Sequence, residues 1–447
     1  MGYLPHSEQE RRRMLDALGL ESVDELFADI PEEVRAHAMP DLPQPLTEPE
    51  LVEHARRLGA TNRSLDDLVC FAGGGIYDRF IPAIVRSVVS RPEFVTPYTP
   101  YQPEASQGTL QAIFEYQTMV CELTAMDVAN ASLYDAATGL GEAIVMAASA
   151  TKRERALISA AAPPIARRTA RTYCEAAGIT IEEIPFLDES GATDLDALAS
   201  ALADDVACVC LQQPNFFGVI EQMDVAAELA HDAGALMIAG IEPVSLALLK
   251  PPGDCGADIA LGEGQSLGLP PGFGGPLLGL FACREELVRI MPGRVVGQAQ
   301  DVDGELAYCL TLQTREQHIR RARATSNICT NEGLCALAAC VYMAALGPDG
   351  LREVALAGAR NAHHLRALIA DSDGVATPRF SGDFVNEFVV RVDGSPDELV
   401  RELCAEGYLV GPALGREYEQ LGDCLLLAAT ECRSREQIEG LVEAGRL

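Results

Sequence analysis

Between residues 155 and 283 the sequence alternates between short apolar runs and amphipathic stretches, and this alternation constrains the fold more than any other feature. The predicted strands lie at 155–159, 180–185, 206–211 and 235–241, and the predicted helices between them at 162–177, 193–204 and 222–233. The run 206–211 is apolar throughout, as is typical of a strand buried on both faces. The pattern therefore predicts an α/β fold with a parallel sheet covered by helices.

A loop rich in glycine and proline, GEGQSLGLPPGFGGP at residues 262–276, separates two further apolar runs at 259–261 and 276–283. A nucleotide-phosphate loop would have to open into a helix whose amide N–H groups face the phosphates. Pro270 and Pro271 lack the backbone N–H groups that such a helix start would present to the phosphates. The sequence therefore excludes a Rossmann dinucleotide site at this loop.

The same segment resembles the one that carries the cofactor lysine in fold-type-I pyridoxal phosphate (PLP) enzymes. The amino-acid sequence of this segment is similar to that of the P-protein family of the glycine cleavage system. Within that family it most resembles the non-catalytic subunit of two-subunit glycine dehydrogenases (decarboxylating). The resemblance covers nearly the whole chain and is most specific at 97–142 and 257–276. It places Gln265 where the catalytic subunit has its Schiff-base lysine. Since an amide cannot form an imine, we expect this chain to bind no PLP covalently.

The lysine content agrees with that expectation. The chain contains only Lys152 and Lys250, and its other basic residues are arginine and histidine. Lys152 lies in the charged run TKRER, which is typical of a solvated helix end, and Lys250 precedes a Pro-Pro-Gly turn upstream of the loop. An independent PLP enzyme needs a lysine buried beside the cofactor, and neither residue has that setting.

The resemblance also implies a vestigial cofactor site, whose candidate residues are Asp135, Thr138, Glu242, Gln265 and Ser266. In PLP enzymes of this fold, the turn and helix start that correspond to Asp135 and Thr138 bind the cofactor phosphate through backbone amides. The charge of Asp135 would repel a phosphate at short range. Glu242 lies where the carboxylate partner of the pyridine nitrogen is expected, and a purely structural carboxylate at a strand end is the alternative.

Two further segments are candidates for a pocket shared between subunits. The proline-rich stretch 92–108 predicts a stiff extended loop and carries Tyr98, Tyr101 and Gln102. The stretch 314–331, TREQHIRRARATSNICTN, concentrates arginines in an acidic chain and carries Arg323, Thr325, Ser326 and Asn327. In fold-type-I dimers this region commonly reaches the neighbouring chain's site, where anionic groups need cationic and hydroxyl donors. A packed connector and a solvated helix face are the respective alternatives.

Composition restricts the partners and the compartment. The net charge of -32 argues against nucleic acid and anionic membranes as partners, since both attract positive charge. The cysteines and histidines have no metal-ligand spacing, so no metal site is expected. The polar, charged start of the sequence does not resemble a signal peptide, and the apolar run 334–346 is too short to span a bilayer. These features predict a cytoplasmic protein.

We expect three parts along the chain. Residues 1–65 form an N-terminal helical arm in which Ser7…Glu10, Ser22…Glu25 and Thr47…Glu50 fit the capping-box pattern. Residues 66–345 form a large α/β domain like that of fold-type-I PLP-dependent transferases. Residues 346–447 form a smaller α+β C-terminal domain, with strands at 387–392 and 424–429 and helices at 396–406 and 434–445.

The resemblance implies a function in the glycine cleavage system. The chain would act with a catalytic P-protein subunit 2, which holds PLP, to decarboxylate glycine and transfer the aminomethyl group to the lipoyl group of the lipoylated H-protein. This chain would complete the pocket and stabilise a dimer of heterodimers without donating a covalent catalytic residue. A free-standing PLP enzyme conflicts with Gln265. A non-enzymatic scaffold or regulatory paralogue remains the alternative.

Overall fold

The computed structural model describes residues 6–38, 42–96 and 98–447, so parts of the predicted N-terminal arm and Pro97 of the loop 92–108 lie outside the described residues. The chain forms two compact units, Met1–Arg63 and Ser64–Leu447. The three-part division along the chain stays a prediction.

The first unit contains the helices α1 (Glu8–Leu18), α2 (Glu32–Ala38) and α3 (Glu48–Gly59), and a 3-10 turn at Val23–Phe27. All three predicted capping boxes are present. In each box the glutamate accepts a hydrogen bond from the backbone N–H of the cap residue, at 2.8, 2.8 and 2.9 Å. The middle box begins the 3-10 turn instead of an α-helix.

The second unit contains the remaining elements. In chain order these are β1 (Val69–Ala72), α4 (Ala83–Val89), α5 (Pro92–Val95), α6 (Gln107–Thr124), β2 (Val128–Ala129), α7 (Ala136–Thr151), β3 (Arg155–Ser159), α8 (Pro164–Ala177), β4 (Thr180–Ile184), α9 (Leu195–Ala201), β5 (Val206–Gln213), α10 (Met223–Asp232), β6 (Leu236–Ile241), β7 (Ile259–Glu263), β8 (Gly279–Cys283), β9 (Val295–Gln300), β10 (Leu306–Thr311), α11 (Gln317–Arg320), α12 (Gly333–Asp371), β11 (Ala376–Pro378), β12 (Glu387–Val392), α13 (Pro396–Ala405), β13 (Tyr408–Gly411), β14 (Cys424–Ala428) and α14 (Arg435–Gly445).

A seven-stranded sheet in the order β2-β8-β7-β6-β5-β3-β4 forms the centre of the second unit. Strands β3 to β7 run parallel to one another, as the alternating pattern predicts. Strand β8 differs, because it pairs antiparallel with β7. The loop between these two strands contains no crossover helix, so the chain turns back instead of crossing over.

Strand β5 shows how the sheet is covered on both faces. Cys208 and Cys210 pack in the hydrophobic cluster that includes residues of α7 and α8. Val209 and Leu211 pack on the opposite face, in the cluster that includes alanines of α10. This alternation follows from the period of two residues in a strand, and it confirms the prediction that residues 206–211 are buried on both faces.

The C-terminal part of the second unit has an antiparallel sheet in the order β11-β12-β14, and its strands and helices lie close to the predicted positions. Strand β1 comes from the start of the unit, yet it pairs parallel with β13. Residues 73–80, between β1 and α4, form neither helix nor strand, and Gly74 and Tyr77 are hydrogen-bonded to Glu387 of β12. We refer to residues 73–80 as the cover segment.

The element α12 comprises two helical stretches separated by a kink at Gly347, where φ is 61° and the backbone is not helical. Among the described helices, α12 is the one whose length and composition would suffice to cross a membrane. Half of its most apolar stretch is buried inside the protein. That burial is typical of a helix in the core of a globular protein.

The stretch 92–108 is less extended than predicted. Pro92–Val95 forms a short helix, and Pro103–Ala105 forms a 3-10 turn. Proline fixes φ near the helical value and is well tolerated in the first turn of a helix, so both prolines begin helical turns instead of extending the loop.

Substitution of Gly218 can test how closely the turn after β5 of the central sheet approaches β12 of the C-terminal sheet. Its φ is +83°, and a Cβ atom there would lie 1.9 Å from the carbonyl oxygen of Glu387. We expect Gly218→Ala to lower the free energy of unfolding by about 3 kcal/mol or more, since left-handed strain of about 1–2 kcal/mol adds to the steric overlap. Urea unfolding of the purified chain measures this loss.

Gly178 provides the matched control, because its φ of +74° is similar and nothing lies within 4 Å of its ideal Cβ position. Gly178→Ala should therefore cost only the backbone strain, about 1–2 kcal/mol. Equal losses in the two variants would contradict the close approach at Gly218.

Candidate functional site

A cavity of about 410 Å³ lies at the carboxyl ends of the parallel strands. Its apolar lining includes Ile76, Leu140, Ile165, Leu211, Ile241 and Leu277, and its polar lining includes Asp135, Thr138, Gln212, Glu242 and Glu263. Open α/β sheets bind ligands at this edge, where the strand order reverses. The structure thus brings Asp135, Thr138 and Glu242 of the predicted vestigial site to one cavity.

Gln265 is 1% exposed and uses both ends of its amide. Its Oε1 accepts from the backbone N–H of Tyr77 at 2.9 Å, while its Nε2 donates to the carbonyl oxygens of Tyr77 and Leu269 at 3.1 and 2.6 Å. The side chain thus pairs with the cover segment as a neighbouring strand would. A lysine could donate to the same carbonyls but could not accept from Tyr77.

Carboxylates of the C-terminal part hold the cover segment from the other side. Glu387 accepts from the backbone N–H of Gly74 at 2.9 Å and from the hydroxyl of Tyr77 at 2.7 Å. Burial raises the pKa of Glu387 to about 7, although these two hydrogen bonds lower it. Glu431 accepts from the backbone N–H of Phe80 at 2.8 Å. The cover segment is therefore bound to both sheets.

Arg79 of the cover segment lies between two carboxylates in the interior. Its guanidinium is 2.9 Å from Glu431 and 3.6 Å from Glu242, and its side chain is 3% exposed. Glu242 also accepts from Ser266 Oγ at 2.9 Å and from the backbone N–H of Ser245 at 2.7 Å. These contacts engage Glu242 and Ser266 with groups of the chain itself.

The first turn of α7 is bound by two carboxylates. Asp135 caps the helix, because its Oδ1 accepts from the backbone N–H of Thr138 at 2.7 Å and from the Thr138 hydroxyl at 3.1 Å. Glu263 accepts from the backbone N–H of Ala136 at 3.2 Å. Burial raises the pKa of Glu263 to about 7. The amides that would face an external anion are thus partly occupied.

One buried residue, Arg294, connects the two segments 92–108 and 314–331 that carry the predicted interface residues. Arg294 donates to the hydroxyl of Tyr101 at 3.0 Å, and its guanidinium lies 5.3 Å from the centre of that ring. The same guanidinium donates to Thr330 Oγ1 at 3.3 Å and to Asn331 Oδ1 at 3.5 Å. Arg294 thereby joins the loop that carries Tyr98 to the segment that follows Asn327.

The other candidates of these segments differ in exposure. Tyr98 is 88% exposed, and Gln102, Arg323 and Asn327 are also exposed. Thr325 and Ser326 are half-buried, and Ser326 Oγ accepts from the backbone N–H of Ile328 at 3.1 Å. The exposed members are available for contact with another molecule, whereas Ser326 has a local structural role.

Sequence reasoning missed Arg79, Glu263, Arg294 and Glu387. Glu263 could have been found, because it is the one charged residue in the glycine- and proline-rich loop 262–276. Arg79 and Glu387 are some three hundred residues from their partners in the sequence, so no local pattern reveals them.

Within the described ranges no group of three or more histidine, cysteine, aspartate or glutamate side chains could hold a metal ion, and all fourteen cysteines are free.

Comparison with solved structures defines the fold class. The sphingosine-1-phosphate lyase of Burkholderia pseudomallei matches with a TM-score of 0.64 at 14% identity, over 91% of this chain and 92% of that chain. A NifS-like protein from Rickettsia africae matches with a TM-score of 0.62 at 12% identity, over 84% of this chain and 98% of that chain. The second unit therefore has the fold of fold-type-I PLP-dependent enzymes.

Closer relatives define the family. Residues 1–444 match the family model described as glycine cleavage system P-protein. The probable glycine dehydrogenase (decarboxylating) subunit 1 of Moorella thermoacetica is 51% identical over 446 residues, which cover 100% of this chain and 99% of that protein. The protein of the same description from Carboxydothermus hydrogenoformans is 47% identical over 444 residues, 99% of each chain.

A crystal structure of glycine decarboxylase (P-protein) of the glycine cleavage system, in inhibitor-bound form, matches with a TM-score of 0.91 at 44% identity, over 100% of this chain and 99% of that chain. The chain belongs to the glycine cleavage system P-protein family. This membership confirms the resemblance inferred from the glycine- and proline-rich loop.

Arg79 should be essential for stability. We expect Arg79→Met to lower the free energy of unfolding by about 3–5 kcal/mol, because it leaves two buried carboxylates without their cation. Arg155→Met is the control, since Arg155 pairs with the partly exposed Glu182 and Asp205 and should cost at most about 1 kcal/mol. Urea unfolding compares the two. Similar, small losses would contradict the structural role of Arg79.

Proposed function

We propose that this chain is the subunit of glycine dehydrogenase (decarboxylating) that does not carry the cofactor. It acts with a catalytic P-protein subunit 2, which holds PLP. Together the two subunits decarboxylate glycine and transfer the aminomethyl group to the lipoyl group of the H-protein. The assembly is a heterotetramer of two such pairs, and it works in the cytoplasm.

Gln265 is the single observation that carries this proposal. The resemblance aligns it with the Schiff-base lysine of the catalytic subunit, and both ends of its amide are bound to backbone groups. The first turn of α7 is bound by Asp135 and Glu263 as well. The residues present thus do not fit the PLP that the fold family implies, which supports a role in which the partner supplies the cofactor.

The contribution of this chain to the shared pocket comes from its exposed candidates. We assign this role to Tyr98, Gln102, Arg323 and Asn327, whose side chains are free to meet the partner. Arg294 positions the two segments relative to each other through Tyr101, Thr330 and Asn331. Arg323 would offer a charged donor to an anionic group, and the chain as a whole is acidic.

The alternative is a scaffold or regulatory paralogue that keeps the fold without a part in catalysis. Full-length similarity to relatives described as subunit 1 of glycine dehydrogenase favours the enzyme subunit.

A direct test distinguishes the enzyme subunit from the scaffold. This chain is purified with the catalytic subunit encoded by the same genome, and glycine–bicarbonate exchange is measured with lipoylated H-protein. The complex should exchange, and each subunit alone should not. A stable complex without exchange would support the scaffold.

Arg323→Ala tests the assigned surface within that assay. We expect the exchange rate of the reconstituted complex to fall at least about tenfold, since a desolvated charge contact across an interface is worth about 2 kcal/mol or more. The melting temperature of the isolated chain should not change, because Arg323 is exposed.

Arg401→Ala is the matched control, since Arg401 is an exposed arginine that pairs with Glu398 and donates to the backbone carbonyl of Asp397, both in its own helix α13. Its complex should exchange at the rate of the unchanged protein. If Arg323→Ala and Arg401→Ala behaved alike, Arg323 would not contribute to the shared pocket.

A further inference from the structure

The first turn of α7 is the place where PLP enzymes of this fold bind the cofactor phosphate, and here it faces carboxylates of the chain itself. Glu263 Oε2 accepts from the backbone N–H of Ala136, the first residue of the helix, at 3.2 Å. Asp135 occupies the amide of Thr138 at 2.7 Å. Anions are stabilised at helix starts by free N–H groups and by the helix dipole, and both attractions act on these two side chains.

Glu263 makes two further contacts that fix its position. Its Oε1 accepts from the backbone N–H groups of Gln265 at 3.1 Å and Leu278 at 2.9 Å. The carboxylate therefore joins the start of α7, the turn after β7 and the residue that precedes β8. Three backbone donors converge on this side chain, as they would on a bound anion.

We propose that Glu263 is a built-in anionic ligand of the α7 start, which takes the place of a phosphate group and closes the cavity to phosphate-bearing molecules. This goes beyond the absence of a lysine. Without a lysine a phosphorylated cofactor could still bind non-covalently, whereas Glu263 and Asp135 already occupy the amides of Ala136 and Thr138 in the turn that its phosphate would meet. The same carboxylate binds the backbone of Gln265, so it also supports the contact with Tyr77.

The test uses the isolated full-length chain and two probes, inorganic phosphate and PLP. Thermal unfolding is followed at about pH 8.5, where Glu263 is ionised although burial raises its pKa to about 7, as phosphate replaces chloride at constant ionic strength. The unchanged chain should show no phosphate-dependent stabilisation. Glu263→Ala should show it, with an apparent phosphate affinity at least about tenfold higher, because a negative charge at short range is removed and three donors are freed. Addition of Asp135→Ser should raise the affinity further, since serine still caps the helix.

Glu221→Ala is the matched control. Glu221 is also a buried carboxylate that accepts from a backbone N–H, that of Thr193 at 3.0 Å, but it lies away from α7. This variant should lose stability without gaining a response to phosphate. A folded Glu263→Ala that gains no response, or a Glu221→Ala that gains the same one, would overturn the proposal.

A second measurement needs no variant. Amide hydrogen exchange at residues 136–139 of the unchanged chain should not respond to phosphate or PLP, because Asp135 and Glu263 already hold that turn. Phosphate-dependent protection of these amides would overturn the proposal even if Glu263→Ala did not fold. Neither measurement involves the catalytic subunit, so the outcome is independent of whether the proposed complex forms.

Discussion

The pairing of Gln265 with Tyr77 is the contact on which the rest of the site depends. The buried Gln265 amide forms hydrogen bonds with both the backbone N–H and the carbonyl oxygen of Tyr77, and so binds the cover segment to the turn that follows β7 of the central sheet. From there Arg79 reaches Glu242 of the central sheet and Glu431 of the C-terminal part. Because an unpaired buried backbone group or charge is costly, losing one of these contacts would leave a buried polar group without its partner.

The polar groups around the cavity are satisfied largely by the chain itself. The amide of Gln265 is bound to the chain's own backbone, and the start of α7 is bound by Asp135 and Glu263. The resemblance aligns these positions with the lysine and the phosphate-binding turn of PLP enzymes of this fold. A cavity of about 410 Å³ remains between them. The contacts of Gln265 and Arg79 thus connect the central sheet to the cover segment, and the predicted interface residues Tyr98, Gln102, Arg323 and Asn327 are exposed.

Much of the fold could be predicted because its signals are local. Apolar runs and capping boxes depend on neighbouring residues, and the amino-acid sequence of the loop 262–276 indicated the family. The pairing of β1 with β13, the antiparallel course of β8, and the contacts of Arg79 and Glu387 could not be predicted in the same way. They join residues far apart in the sequence, and only the folded chain decides which carboxylate meets which donor. The cavity members Asp135, Thr138 and Glu242 were found through the resemblance, whereas Glu263 and Arg294 were not.

Counting the cofactor in the assembled complex tests the central claim most directly. The two subunits are reconstituted with excess PLP, and free cofactor is removed. Native mass spectrometry and borohydride reduction then report how many PLP molecules each pair retains and which chain carries them. The account predicts one PLP for each pair of unlike subunits, attached to the catalytic subunit, and none on this chain. A second PLP in each pair, or a reduced adduct on this chain, would contradict it.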